Sequence, residues 1–126
     1  MRFKAALLGL ICAVTLSHVA LAHDMAKGVN GGQVVEDAGH HVEFTTKDGQ
    51  VVLFLTDGAD KPLTSVKATG RAIIQDGGKQ ATLDLVAAEP NMMTGKLGSP
   101  LSTGAKLVVS IKLGDGHDVK ARFVAK

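Results

Sequence analysis

Turn sequences built on glycine recur at short intervals along this chain, and the residues between them alternate apolar and polar. Asp48-Gly49, Asp57-Gly58, Asp76-Gly77-Gly78 and Gly114-Asp115-Gly116 all suit turns that demand positive φ. The segments between them are short and rich in β-branched residues. His40-His41-Val42-Glu43-Phe44-Thr45-Thr46 shows the period of two that a half-buried strand requires. Starting from Gln33, further strands are predicted over 51–56, 67–75, 80–86, 92–97, 107–113 and 119–124. No stretch sustains a helical period with caps. About eight short strands in roughly 100 residues predict an all-β fold. The expected form is a small antiparallel β-sandwich of Ig-like size, with a small β-barrel as the alternative.

The last hairpin has a register that can be derived. Leu107, Val109, Ile111 and Leu113 form one apolar face, and Val119, Ala121 and Phe123 form another. A two-residue turn would set Ile111 against Lys120 and mix the faces. A three-residue turn over Gly114-Asp115-Gly116, with the last glycine left-handed, sets Ile111 against Val119 and Leu107 against Phe123. The hairpin at Asp48-Gly49 has two solutions. A two-residue turn puts His40 across from Asp57, and a three-residue turn puts it across from Thr56.

The N-terminal residues read as an export signal. Arg2 and Lys4 precede an apolar run over 5–16, and Ala20-Leu21-Ala22 places small residues at the −3 and −1 positions of a cleavage site. The run is short for a bilayer span and lacks stop-transfer charges. The expected organisation is a signal peptide over 1–22, a flexible lead-in over 23–32 and a β domain over 33–126, with no membrane span after cleavage. The expected location is the periplasm.

Cleavage would also change the chemistry available. Cys12, the only cysteine, lies in the apolar run and follows Ile11 rather than a small residue, so cleavage removes it without lipidation. Thiolate sites are then excluded. Arg2 and Lys4 are two of the 14 basic residues, so the remainder carries 12 basic against 12 acidic. That balance, with only Phe44, Phe54 and Phe123 as aromatics, offers no electrostatic or stacking platform for nucleic acid. No nucleophile elbow, zinc-protease or phosphate-loop motif occurs, and the acids fall mostly in turns, so no enzyme is expected.

What remains is a set of metal-competent groups. His23 at a new N-terminus would offer an α-amine and an imidazole to one ion, with Asp24 beside it. Both nitrogens are neutral over part of the physiological pH range. Met25 adds a thioether, which favours monovalent copper. His40 and His41, adjacent on a strand, point to opposite faces. The useful pairing is His41 with Glu43, two apart on the polar face. Of Met92 and Met93, one faces inward as a core gap-filler. His117 reads as a turn-flanking surface residue.

The segments Asn30-Gly31-Gly32-Gln33-Val34-Val35, His41-Val42-Glu43-Phe44, Lys47-Asp48-Gly49 and Leu55-Thr56-Asp57 give the chain a family resemblance. So do Asn91-Met92-Met93-Thr94-Gly95 and Ala121-Arg122-Phe123. With these motifs the chain resembles small periplasmic heavy-metal (copper) handling β proteins. Those in turn resemble the N-terminal domains of periplasmic adaptor subunits of RND-type efflux pumps. The resemblance implies copper or heavy-metal handling in the envelope; it would place an aromatic at position 40 and a leucine at position 93.

The expected function is therefore metal binding, copper favoured, that buffers ions or delivers them to an efflux system. His23, Met25, His41 and Glu43 are the expected ligands. The alternative is a non-catalytic module that docks on an efflux adaptor or another envelope protein without binding metal.

Overall fold

A computed structural model describes residues 26–126 of the chain. Nine antiparallel strands account for its regular structure, with no helix among the described residues. They are β1 (Ala26–Lys27), β2 (Gln33–Asp37), β3 (His40–Lys47), β4 (Gln50–Asp57), β5 (Thr69–Asp76), β6 (Lys79–Ala88), β7 (Met92–Lys96), β8 (Lys106–Lys112) and β9 (Asp118–Val124). The all-β antiparallel fold expected from the alternation is thus the one observed. All nine strands belong to one hydrogen-bonded sheet, in the order β1-β2-β3-β4-β7-β6-β5-β8-β9. The sheet curls on itself until β2 stands beside β9.

The hairpins follow from turn chemistry. Asp48 and Gly49 have φ of 52° and 74°, the signs a type I′ turn needs, and Lys47 pairs with Gln50 around them. This two-residue solution sets His40 against Asp57. Gly77-Gly78 joins β5 to β6 in the same way. Ala38-Gly39 joins β2 to β3 with φ of 49° and 80°, a turn with no asparagine or aspartate at its first position. The last hairpin uses the three-residue turn with Gly116 at φ 93°, and Ile111 opposes Val119 while Leu107 opposes Phe123, as the face-matching argument requires.

The curl gives the sheet an inside. β8 and β9 alternate strictly between buried and exposed positions. Their inward residues meet Val42 and Phe44 of β3 and Leu53 and Leu55 of β4 in one continuous core. The Phe44 and Phe123 rings lie 5.2 Å apart, tilted at 32°, and link the two ends of the sheet across the interior. Met93 is wholly enclosed. Burying each such large side chain stabilises the fold by about 1.5–3 kcal/mol, so this core outweighs any single surface contact.

Side chains, not a backbone ladder, hydrogen-bond across the β2–β9 seam. Asp37 Oδ2 accepts from the Lys120 amide at 2.7 Å. The Gln33 side-chain amide donates to the Val124 carbonyl. Residues 26–32, assigned to the lead-in, also have a defined place: Ala26 and Lys27 pair with Val34 and Gln33.

Candidate functional site

His23, Met25 and the export signal lie outside the described residues. The structure therefore bears on His41 and Glu43, which share the outer face of β3 but have different surroundings.

Glu43 is buried, 6% exposed, beneath the turn that joins β1 to β2. Its Oε1 accepts the backbone amides of Asn30 at 2.8 Å and Gly32 at 2.9 Å, and its Oε2 accepts the Asn30 side-chain amide at 3.0 Å. A buried carboxylate is tolerated only when hydrogen-bonded in this way. The carboxylate anchors the chain entering β2 and is not paired with His41.

His41 meets two other acids instead. Its Nδ1 lies 3.0 Å from Asp60 Oδ1. An ionised carboxylate only accepts, so this nitrogen is the one carrying the proton. In the neutral ring Nε2 then carries the lone pair, and it lies 3.7 Å from Glu36 Oε2. Glu36 arrives there because the tight turn at Ala38-Gly39 makes it the cross-strand partner of His41. Asp60 arrives from the loop after β4, which Asp57 organises: its Oδ1 accepts the amides of Ala59 and Lys61 at 2.8 and 2.9 Å. These donors, Lys61 first, hold the Asp57 carboxyl below its ordinary value of 3.8.

This arrangement has the outline of a metal-ligating histidine. A carboxylate on one ring nitrogen fixes the tautomer and orientation, and the other nitrogen is free to ligate beside an oxygen donor. Sequence reasoning missed both acids. Glu36 was discoverable from the Gly39 turn and the strand period, whereas Asp60 depends on the path of a loop.

A second histidine cluster was also missed. His40, on the inner face of β3, comes within 5.6 Å of His117, ring centre to ring centre, at a tilt of 47°. His117 Nδ1 lies 2.9 Å from Asp115 Oδ2, and the His117 backbone amide donates to Asp115 Oδ1 at 3.0 Å. The backbone donor and then the His117 side chain lower the Asp115 pKa. Met93 faces the core, as expected of one of the two adjacent methionines, so its thioether is closed to an ion from solvent.

Among the described residues, no group of three or more His, Cys, Asp or Glu side chains is placed to enclose a metal ion. Among the described residues, five surface grooves are lined by neither histidine nor Glu43. No helix among the described residues is long and apolar enough to cross a membrane. No protein-family model matches the chain, and no curated protein or solved structure matches it closely.

Proposed function

We propose that this is a non-enzymatic metal-binding protein of the periplasm that buffers copper ions or hands them to an efflux system. The observation that carries the reading is the placement of His41, with Asp60 on Nδ1 and Glu36 near Nε2. One imidazole and one carboxylate make a weak, open site that releases its ion readily, as buffering or transfer requires. Among divalent ions such donors bind copper most tightly. His23 and Met25 would add donors from the N-terminal segment. Glu43, bonded to Asn30 and Gly32, is assigned to holding the β1–β2 turn rather than to ligation.

Docking on an efflux adaptor through a sheet edge is less well supported. Among the described strands, β1 is only two residues long, and β9 meets the side chains of β2.

Copper titration of the whole protein, followed by calorimetry, tests the reading. His41→Ala should weaken binding at least tenfold and Glu36→Gln several-fold. Binding unchanged in both variants would remove the His41 site. Mass measurement of the exported protein fixes its first residue, and adding one residue before His23 then tests the amine.

A further inference from the structure

The inner face of β3 reads His40, Val42, Phe44, and the corresponding row of β9 continues Phe123, Ala121, Val119 back to His117. Val42, Phe44, Val119, Ala121 and Phe123 are all core residues. The curl sets the two rows against each other, and the Phe44–Phe123 contact is one step in that stack. Continued outward, each row ends in a histidine, so His40 and His117 cap the core at one mouth of the curled sheet.

The pair carries an unmet need. His40 Nδ1 is shielded from solvent and has no hydrogen-bond partner. Buried ring nitrogens are ordinarily satisfied, because leaving one unpaired costs about 1–3 kcal/mol. The ring beside it is another imidazole. His117, by contrast, is held. Asp115 accepts from its Nδ1–H, so in the neutral ring Nε2 carries the lone pair, and the ring is exposed.

One imidazole has an unpartnered nitrogen and the other is oriented by a carboxylate, and in the tautomer that turns a lone pair toward the gap each can serve as a metal donor. Metal–nitrogen bonds of about 2.0–2.1 Å put the ring centres of two imidazoles on one ion roughly 5 to 6 Å apart. The observed separation is 5.6 Å. We propose that His40 and His117 together bind one divalent first-row transition ion at the mouth of the core, with Asp115 as the positioning residue and water in the remaining positions. Imidazole donors select copper, nickel or zinc over calcium or magnesium. The site is separate from the one at His41, since adjacent strand residues face opposite sides, and it does not depend on that reading.

Zinc and nickel titrations of the whole protein, followed through the individual histidine ring resonances by NMR, test the proposal. His40 and His117 should respond together, saturating at one equivalent, while His41 moves on its own isotherm. In His40→Phe, which keeps a ring at the mouth, His117 should lose its tight response. In His117→Gln, His40 should do the same. Asp115→Asn should weaken the shared site by about 10- to 100-fold. Retained Phe44 and Phe123 ring signals establish that each variant is folded. If His117 responds equally well in folded His40→Phe, or if His40 never responds, the two-histidine site is wrong. The His41 response is read separately, so failure of one site does not count against the other.

Discussion

The carboxylate of Glu43 occupies the space that a side chain on Gly28 would need. A Cβ built there would lie 2.1 Å from the Glu43 carboxyl carbon. The β1–β2 turn can close over the carboxylate only because position 28 has no side chain. Gly28→Ala must therefore expel the carboxylate or lift the turn, breaking the hydrogen bonds to Asn30 and Gly32. We expect a loss of about 1–3 kcal/mol in urea unfolding. Amide exchange should quicken at Asn30 and Gly32. An unchanged midpoint would mean that the turn is not held by this contact.

Ala38 holds φ at 49° in the first position of its turn. Left-handed backbone costs an L-residue with a Cβ about 1–2 kcal/mol, and asparagine tolerates it better. Ala38→Asn converts the turn to the favoured Asn-Gly sequence and should stabilise the protein by about 0.5–1 kcal/mol. Its thermal midpoint should rise. Since Glu36 and His41 flank this turn, any metal affinity of the proposed His41 site should not fall in the variant.

The β2–β9 seam is open to a local test. Asp37→Ala removes the acceptor of the Lys120 amide. One such bond contributes about 0.5–1.5 kcal/mol net, so the global effect should be small. The local effect should be clear: Lys120 exchanges its amide proton faster, while residues of the β5–β6 hairpin do not. Equal acceleration in both places would show that the seam is not a separate unit.

Asp57 gives the fold a specific acid dependence. Its folded pKa lies below the ordinary 3.8 because the Lys61 and Ala59 amides favour the charged form. In the window below 3.8 the unfolded chain therefore binds more protons, and stability rises with pH. The contribution is fully present above that window and is lost as pH falls through the depressed value. Asp57→Asn keeps an oxygen for the amides but cannot titrate. Its stability should fall less steeply with acid over that range, as measured by unfolding at a series of pH values.

The parts of this structure legible in the sequence are those set by neighbours along the chain. Ile111 opposite Val119 followed from matching apolar faces, and the inward side of β3 followed from Val42 and Phe44. The turn at Asp48-Gly49 left two registers open, because the backbone angle of Asp48 is not written in its identity. Alternation led to a sandwich with a small barrel as the alternative, and it does not specify that all nine strands form one curled sheet. What joins the strands into one sheet is the pairing of β4 with β7 and of β5 with β8, which no local pattern specifies. The same limit hid the role of Glu43, whose cage of Asn30 and Gly32 lies in another segment. His40 and His117 meet only because the whole sheet curls, so no local pattern in the sequence pairs them.

That curl also bears on how the molecule behaves in a crowd. Exposed strand edges recruit other chains through backbone amides that any polypeptide can read. Here Gln33 and Asp37 occupy groups along β9, so a neighbour adding a strand there must first displace them. Two polar residues thereby guard this edge of the sheet against strand addition, quite apart from how firmly its core is packed.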